Sequence, residues 1–271
     1  MEARRPRPPA RPQVRAREAG FLRDLASVAG RALRQIPREP ESIVPAVIVP
    51  TFFYTVNLGS LQKVAQAQTG VDYKAFLLPL SIVFAVTGVS RASALVTDIR
   101  GGYFDRLCMS PVSRLSLLLG LMVADFALVM ALTVPVLVLG FAVGVRFATG
   151  PLGVLVFVLV AASWGLVYTG FPYAIALKTG NPAAVNTSFV LFFPFAFLTD
   201  GFVPKAALTG WLSAIATYNP VTYLLGGLRS ILMSGWAALP LAKALAAVAG
   251  IGVVSISLSL LALRGRINRG A

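Results

Sequence analysis

The side chains with the most chemistry to offer are gathered in one short stretch, "DIRGGYFDRLCMSPVSR", Asp98 to Arg114. Asp98, Arg100, Asp105, Arg106 and Arg114 alternate in sign, and Tyr103, Phe104 and Leu107 stand among them as apolar knobs. Aromatic knobs flanked by opposite charges make a docking surface: the rings fill a groove on a partner and the charges fix the register. Gly101 and Gly102 let the chain turn, "YFDRLCMS" can then form a short helix, and Pro111 ends it. The chemistry expected of this stretch is therefore recognition, not catalysis.

Several other chemistries are excluded by what the chain lacks. It has no histidine and one cysteine, Cys108, which removes His-based metal sites, Ser-His-Asp triads, disulfide frameworks and CxxC pairs. No Gly-Lys pair occurs, so no loop can cradle a nucleotide with a P-loop lysine. Gly101-Gly102 and Gly226-Gly227 lack the strand and helix context of a dinucleotide fingerprint. The expectation is a chain that is not an enzyme and binds no ATP by itself.

The elements that hold the stretch are membrane elements. Hydrophobic residues make up 57% of the 271 and charged residues only 13%, against about 45–50% and about 25% in soluble domains. The net charge of +14 does not read as a nucleic-acid surface, because the basic residues collect at the ends of apolar runs. Residues 1–20, rich in Pro and Arg, read as a disordered cytosolic tail, with no apolar signal core behind it. Residues 21–38 form an amphipathic helix expected to lie in the headgroup plane. Phe21, Leu22, Leu25, Val28, Ala29, Leu33 and Ile36 face the lipid, and Arg23, Asp24, Ser27, Arg31, Arg34 and Gln35 face water.

Six apolar runs between residues 42 and 264 can each supply a span, over about 43–61, 76–96, 115–145, 152–177, 183–199 and 239–263. The half-apolar region 200–236, interrupted by Lys205, Asn219, Pro220 and Arg229, is a possible seventh. Charge decides: with six spans, all but Lys63, Lys74, Arg146, Lys205, Arg229 and Lys243 of the 24 basic residues lie inside. Both termini, including the basic tail 265–271, are then cytoplasmic, and region 200–236 becomes a pair of short helices dipping into the outer leaflet.

The third run is long, 31 residues, so its first turns are expected near the cytoplasmic surface. It carries Asp125, the one acidic residue inside an apolar run. Two readings are open: a functional carboxylate facing the bundle interior, or a structural partner of Arg91 at the end of the second span, which the position favours. An ion-coupled carrier would show several such groups and matching halves, and neither is present. That leaves a pore or scaffold, or a subunit driven by a separate motor, and the docking stretch supplies the lever a motor needs.

"DIRGGYFDRLCMSPVSRLSLLLGLMVADF" resembles the loop and following helix of the type-2 ABC exporter permeases, in particular the daunorubicin-resistance branch, with its D-x-R-x-G-x-x-x-R-L-x-x-x-P-x-S-R pattern. "VDYKAFLLPL" and "NPVTYLLGGLR", Asn219 to Arg229, are similar to further segments of those proteins. The resemblance implies an all-α integral membrane fold: six transmembrane helices, an N-terminal interfacial helix, a cytoplasmic coupling helix and a re-entrant outer hairpin. The coupling helix carries over onto Gly102 to Ser110, flanked by Asp98, Arg100 and Arg114, and the hairpin onto Asn219, Pro220 and Arg229. Gly226-Gly227 stands where the family often has an acidic residue or amide, which puts a polar gate there in doubt.

The resemblance further implies a partner ABC ATPase that holds ATP and Mg, a second permease copy (the same chain or a companion), surrounding lipid, and a bacterial cell membrane. The first and fifth spans of this family line the dimer seam. Phe52, Tyr54, Asn57, Asn186, Ser188, Phe192 and Phe193 are therefore the expected cavity residues, with ordinary helix packing as the alternative. The expected cargo is a hydrophobic or amphipathic small molecule such as an antibiotic or drug. A lipid-linked glycan or other lipid is kept open by the phenylalanines of "FVLFFPFAF".

Overall fold

The computed structural model describes residues 20–38, 40–102 and 114–270, and every regular element among them is helical. Helix α1 (Phe21–Gln35) continues as a 3-10 turn, Ile36–Arg38. Helix α2 (Pro40–Thr69) runs unbroken through Pro45 and Pro50. The second apolar run is two helices, α3 (Tyr73–Thr87) and α4 (Ala92–Arg100). Helix α5 (Arg114–Ala142) is continuous, so the first turns of the third run belong to the same helix as the rest. The fourth run is α6 (Gly150–Tyr168) and α7 (Gly170–Thr179). Helix α8 (Pro182–Thr187), a 3-10 turn (Ser188–Leu191) and α9 (Phe192–Phe197) follow. Then come α10 (Gly210–Tyr218), α11 (Pro220–Arg229) with a π turn (Ser230–Ser234), and α12 (Ala238–Gly270).

Among the described residues, five helical segments are long and apolar enough to cross a membrane: Ile43–Thr69, Tyr73–Arg100, Leu118–Ala142, Gly150–Thr179 and Ala238–Arg266. The expected fifth span is shorter, Pro182–Phe197. At 1.5 Å per residue its length is about 24 Å, below the roughly 30 Å of a hydrocarbon core. It still joins the two ends of the bundle. Near its start Asn186 accepts from the Ser93 hydroxyl in the first turn of α4 at 3.1 Å, while Asp200 lies beyond its far end, 3.0 Å from Arg229.

Hydrogen bonds between elements show which ends lie together. Lys74 Nζ donates to the Val143 carbonyl (3.0 Å), Tyr73 to Phe202 (3.1 Å) and Thr149 to Ile231 (2.8 Å), which gathers one end. At the other, Arg31 pairs with Asp98 (2.8 Å), Arg100 donates to the Gly180 carbonyl (2.9 Å) and Arg266 to that of Leu177 (3.4 Å). Residues 31 and 266 therefore share an end, as an even number of crossings requires.

Small residues set the packing, since lipid offers no hydrophobic drive and close backbone contact must supply the cohesion. A Cβ on Gly170 would lie 2.7 Å from the Ser255 carbonyl carbon, and the Ser259 hydroxyl donates to the Gly170 carbonyl at 2.6 Å, so α12 lies directly on the fourth run. Helix α1 packs on α5 where a Cβ at Gly120 would come within 2.8 Å of Val28. That contact corrects the expected facing of the amphipathic helix. Its inner side is Asp24, Ala29 and Ala32, whereas Leu22 and Leu33, eleven residues apart and so on one face, are exposed.

Gly227 is a packing glycine of the same kind: a Cβ there would fall 2.4 Å from Ala244 Cβ, while Gly226 has nothing within 4 Å. One chemical change therefore has two expected outcomes. Gly227→Ala should destabilise by about 1–3 kcal/mol through overpacking, and Gly226→Ala should be neutral or stabilising by up to about 1 kcal/mol. Thermal unfolding of the purified protein in detergent, followed by circular dichroism, distinguishes the two.

Candidate functional site

The site is built on the interruption of the second run at residues 88–91. An N-terminal helix end leaves amides without intrahelical partners, and inside a bundle no water is at hand to take them. Two side chains do so here. Asp125 Oδ1, reaching across from α5, accepts from the Arg91 amide at 2.9 Å, and Ser90 Oγ accepts from the Ala92 amide at 3.1 Å. Asp125 Oδ2 accepts from the Tyr173 hydroxyl at 2.7 Å. The pairing of Asp125 with Arg91 thus runs through the backbone amide, and Tyr173 of α7 is a partner that sequence reasoning missed. The Arg91 guanidinium donates to Gln35 Oε1 at 3.1 Å, which ties the end of α1 to the same point.

Beside the break lies a cavity of about 570 Å³. The break itself (Thr87 to Ser90) and Ser93 and Thr97 of α4 form one wall. Asn186, Ser188 and Phe189 form the opposite wall, and Tyr168 and Pro172 of the fourth run close a third side. Phe189 packs close to Gly88, where a Cβ would sit 3.4 Å from its ring. Thr87 donates to the Val83 carbonyl at 2.6 Å and accepts from Trp164 Nε1 at 3.1 Å, so the upper lip of the break is anchored to α6.

Of the residues expected to line a cavity, Asn186 and Ser188 line this one. The other five do not. Tyr54 and Phe192 are fully buried core residues: the Tyr54 hydroxyl donates to the Lys74 carbonyl at 3.0 Å, and the Phe192 ring is wedged against Phe84 and Tyr168 at 5.5 Å from each. Asn57 donates to the Phe53 carbonyl of its own helix at 2.8 Å. Phe193 is stacked on Phe197 at 5.8 Å, and Phe52 is 62% exposed on the outside of α2. The wall residues Ser90, Ser93 and Thr97 escaped notice because small hydroxyls in an apolar run also serve plain helix packing; the local signal was Gly88-Val89-Ser90.

Of the predicted docking stretch, Tyr103, Phe104, Asp105, Arg106, Leu107 and Pro111 lie outside the described residues. Gly101 closes α4 and Gly102 adopts φ +67°, the left-handed turn a glycine allows, and Arg114 opens α5. Asp98 and Arg100 are already engaged within the chain, by Arg31 and the Gly180 carbonyl. They hold the root of the stretch in place.

At the opposite end, Asn219 caps α11 by accepting from the Val221 amide at 2.9 Å, and its amide nitrogen donates to the carbonyls of Phe195 (2.7 Å) and Leu198 (2.8 Å). Pro220 takes the first helical position, where no amide is needed. Arg229 is buried and donates to the Phe76, Asp200 and Gly201 carbonyls and to the Asp200 carboxylate, all within 3.0–3.1 Å, with its guanidinium 3.6 Å over the Phe76 ring. Asp200 was not anticipated.

The cap makes a graded prediction. Asp125→Asn keeps an acceptor for the Arg91 amide and should fold with little loss, whereas Asp125→Leu strands that amide and the Tyr173 hydroxyl at about 1–3 kcal/mol each. Tyr173→Phe should fall between them. The order of the three thermal midpoints checks the assignment; Asn and Leu variants of equal stability would refute it.

In comparison with known proteins, residues 23–233 match the family model described as ABC-2 type transporter. The chain is 27% identical over 208 residues, 74% of its own length and 72% of the relative's, to the daunorubicin resistance ABC transporter permease protein DrrB1 of Streptomyces coeruleorubidus. It is 26% identical over 238 residues, 86% of each chain, to the probable doxorubicin resistance ABC transporter permease protein DrrC of Mycobacterium tuberculosis strain CDC 1551 / Oshkosh. The protein of the same name in strain ATCC 25618 / H37Rv matches equally, at 26% over 238 residues.

Proposed function

The chain belongs to the ABC-2 type transporter family, and from that premise we propose that it is the membrane-spanning, non-catalytic permease subunit of an ATP-driven exporter. Its cargo is a hydrophobic or amphipathic small molecule of the drug or antibiotic kind, moved out across a bacterial cytoplasmic membrane. The names of the relatives support that cargo class. The structural observation that carries the reading is the cavity at the break of the second run, joined by the single short helix α4 to the root of the docking stretch.

In this reading a partner ABC ATPase, which binds ATP and Mg, docks on Gly102 to Ser110 through Tyr103, Phe104 and Leu107. Two permease copies assemble, and the end that carries Arg31, Arg100 and Arg266 faces the cytoplasm, as the positive-inside rule places it. Helix α1 lies against that surface with Leu22 and Leu33 toward lipid. ATP-driven closure of the motor shifts the docking stretch, α4 moves with it, and the wall formed by Ser93 and Thr97 is displaced relative to Asn186.

The test uses inside-out vesicles that contain the chain and its ATPase, with ATP-dependent accumulation of an uncharged amphipathic antibiotic such as chloramphenicol as the readout. Phe104→Ala combined with Arg106→Glu should abolish both co-purification of the ATPase and accumulation. Ala94→Trp, which fills the cavity, should leave co-purification intact and reduce accumulation at least about tenfold, equivalent to some 1.4 kcal/mol. Absence of ATP-dependent accumulation with both wild-type subunits present would overturn the cargo assignment.

A further inference from the structure

We propose that the cavity beside the break binds an uncharged, flat, apolar molecule that accepts a hydrogen bond, and that the Tyr168 hydroxyl is the donor. The proposal takes from the transport reading only that the cavity holds cargo; the chemistry comes from the walls.

Tyr168 is 4% exposed, and its ring is fixed edge-on against Phe171 at 5.2 Å and Phe192 at 5.5 Å. Its hydroxyl has no hydrogen-bond partner among the described residues, and the residue forms part of the cavity wall. It is not among the sealed, unsatisfied polar atoms of the core either, so the open space it meets is the cavity the residue lines, and a partner for it comes from inside that cavity. The other buried hydroxyls of the wall have their protons committed within the protein, Thr87 to the Val83 carbonyl and Ser188 to the Val185 carbonyl. Tyr168 is thus the buried donor left over, and a donor selects a ligand carbonyl or ether oxygen.

The walls also select against charge. No Asp, Glu, Lys or Arg lines the cavity among the described residues. The nearby buried carboxylate, Asp125, has both oxygens occupied by the Arg91 amide and Tyr173. A cation would enter with no counter-charge, which desolvation penalises heavily. The volume, about 570 Å³, falls in the range of roughly 300–1,000 Å³ that holds drug-sized molecules. Two aromatic rings, Tyr168 and Phe189, are among the lining residues, which suits a planar ligand.

The experiment reads occupancy directly. The full chain carrying A94C in a C108S background is reconstituted in nanodiscs, and the rate of labelling of the introduced thiol by a maleimide is measured. Two probes are compared: Nile red, which is uncharged and has a carbonyl acceptor but no donor, and tetraphenylphosphonium, a cation with neither. Nile red should slow labelling in a saturable manner and tetraphenylphosphonium should not. Adding Y168F should raise the Nile red concentration for half-protection about five- to tenfold, the worth of one neutral hydrogen bond. The thermal midpoint should stay unchanged, because that hydroxyl bonds to no protein group. Failure of Nile red to protect, equal protection by the cation, or an unchanged half-protection concentration in Y168F would each overturn the proposal. No ATPase or nucleotide is present in the assay, so loss of vesicle accumulation would not disturb this result, nor would this result decide accumulation.

Discussion

Inside a bilayer a backbone amide that its helix does not use must find an acceptor in the protein, and much of this architecture is organised around one such group. The second run is the most enclosed of the five long segments, with 89% of its most apolar window buried against 11% for the first. It is also the run that breaks. The Arg91 amide at the restart would be stranded in a core of Leu, Val and Phe side chains were Asp125 not extended toward it. A carboxylate suits that place because it can accept twice, and the second acceptance, from Tyr173, fixes α7 against the same point. One acidic side chain therefore sets the relative placement of α4, α5 and α7. Gln35, bonded to the Arg91 guanidinium, brings the end of α1 into the same junction.

The opposite end is held by the complementary device, a cation that satisfies carbonyls. Arg229 supplies donors to Phe76, Asp200 and Gly201, groups at the start of the second run and just beyond the short fifth segment. The Asp200 carboxylate balances the charge. Between these two polar clamps the fourth run and α12 are sealed by glycine and serine, with Gly170 against Ser255 and Ser259. Gly227 does the same for α11 on α12, and its role there explains why no bulky polar residue occupies that place: its Cβ would already collide with Ala244. The result is a frame fixed at both ends and along one side, while α2 stays largely unburied along its outer face.

Those features were unequally legible in the sequence. Runs of apolar residues report span positions because burial in lipid needs only length and composition, and the all-helical character followed from them. The facing of α1 did not, since the amphipathic stripe marks a polarity boundary without saying whether lipid or α5 lies beyond it. Gly120 opposite Val28 decides that, 92 positions away in the chain. The break was hidden because Gly88-Val89-Ser90 scarcely lowers the average hydropathy of the run. Asp125 stood out as an anomaly, yet its partner Tyr173 is 48 residues distant, a pairing that periodicity cannot reveal. Tyr54 and Phe192 show a related limit: an aromatic residue on a span serves equally as cavity wall or as core, and the neighbours within one copy, Lys74 for one and Phe84 for the other, hold these two in the core.

The length of α4 gives the break its mechanical meaning. Nine residues make a rod of about 13 Å, short enough to be stiff and long enough to hold two environments. Its first turn carries the capped amide and the Ser93 wall of the cavity, and its last carries Asp98 and Arg100, clamped to Arg31 and Gly180. Because the run is severed at residues 88–91, force applied to the lower end need not bend α3, which stays anchored through Thr87 to Trp164. A continuous helix would spread the same displacement over 28 residues and move the cavity wall little. In the proposed mechanism the break turns it into rotation of a short rod about the Asp125 cap, with the Ser93 to Asn186 hydrogen bond as the contact that has to give way. Under the proposed function, the polar group that makes the interruption tolerable in the membrane is therefore also the pivot through which docking at the surface reaches the cargo.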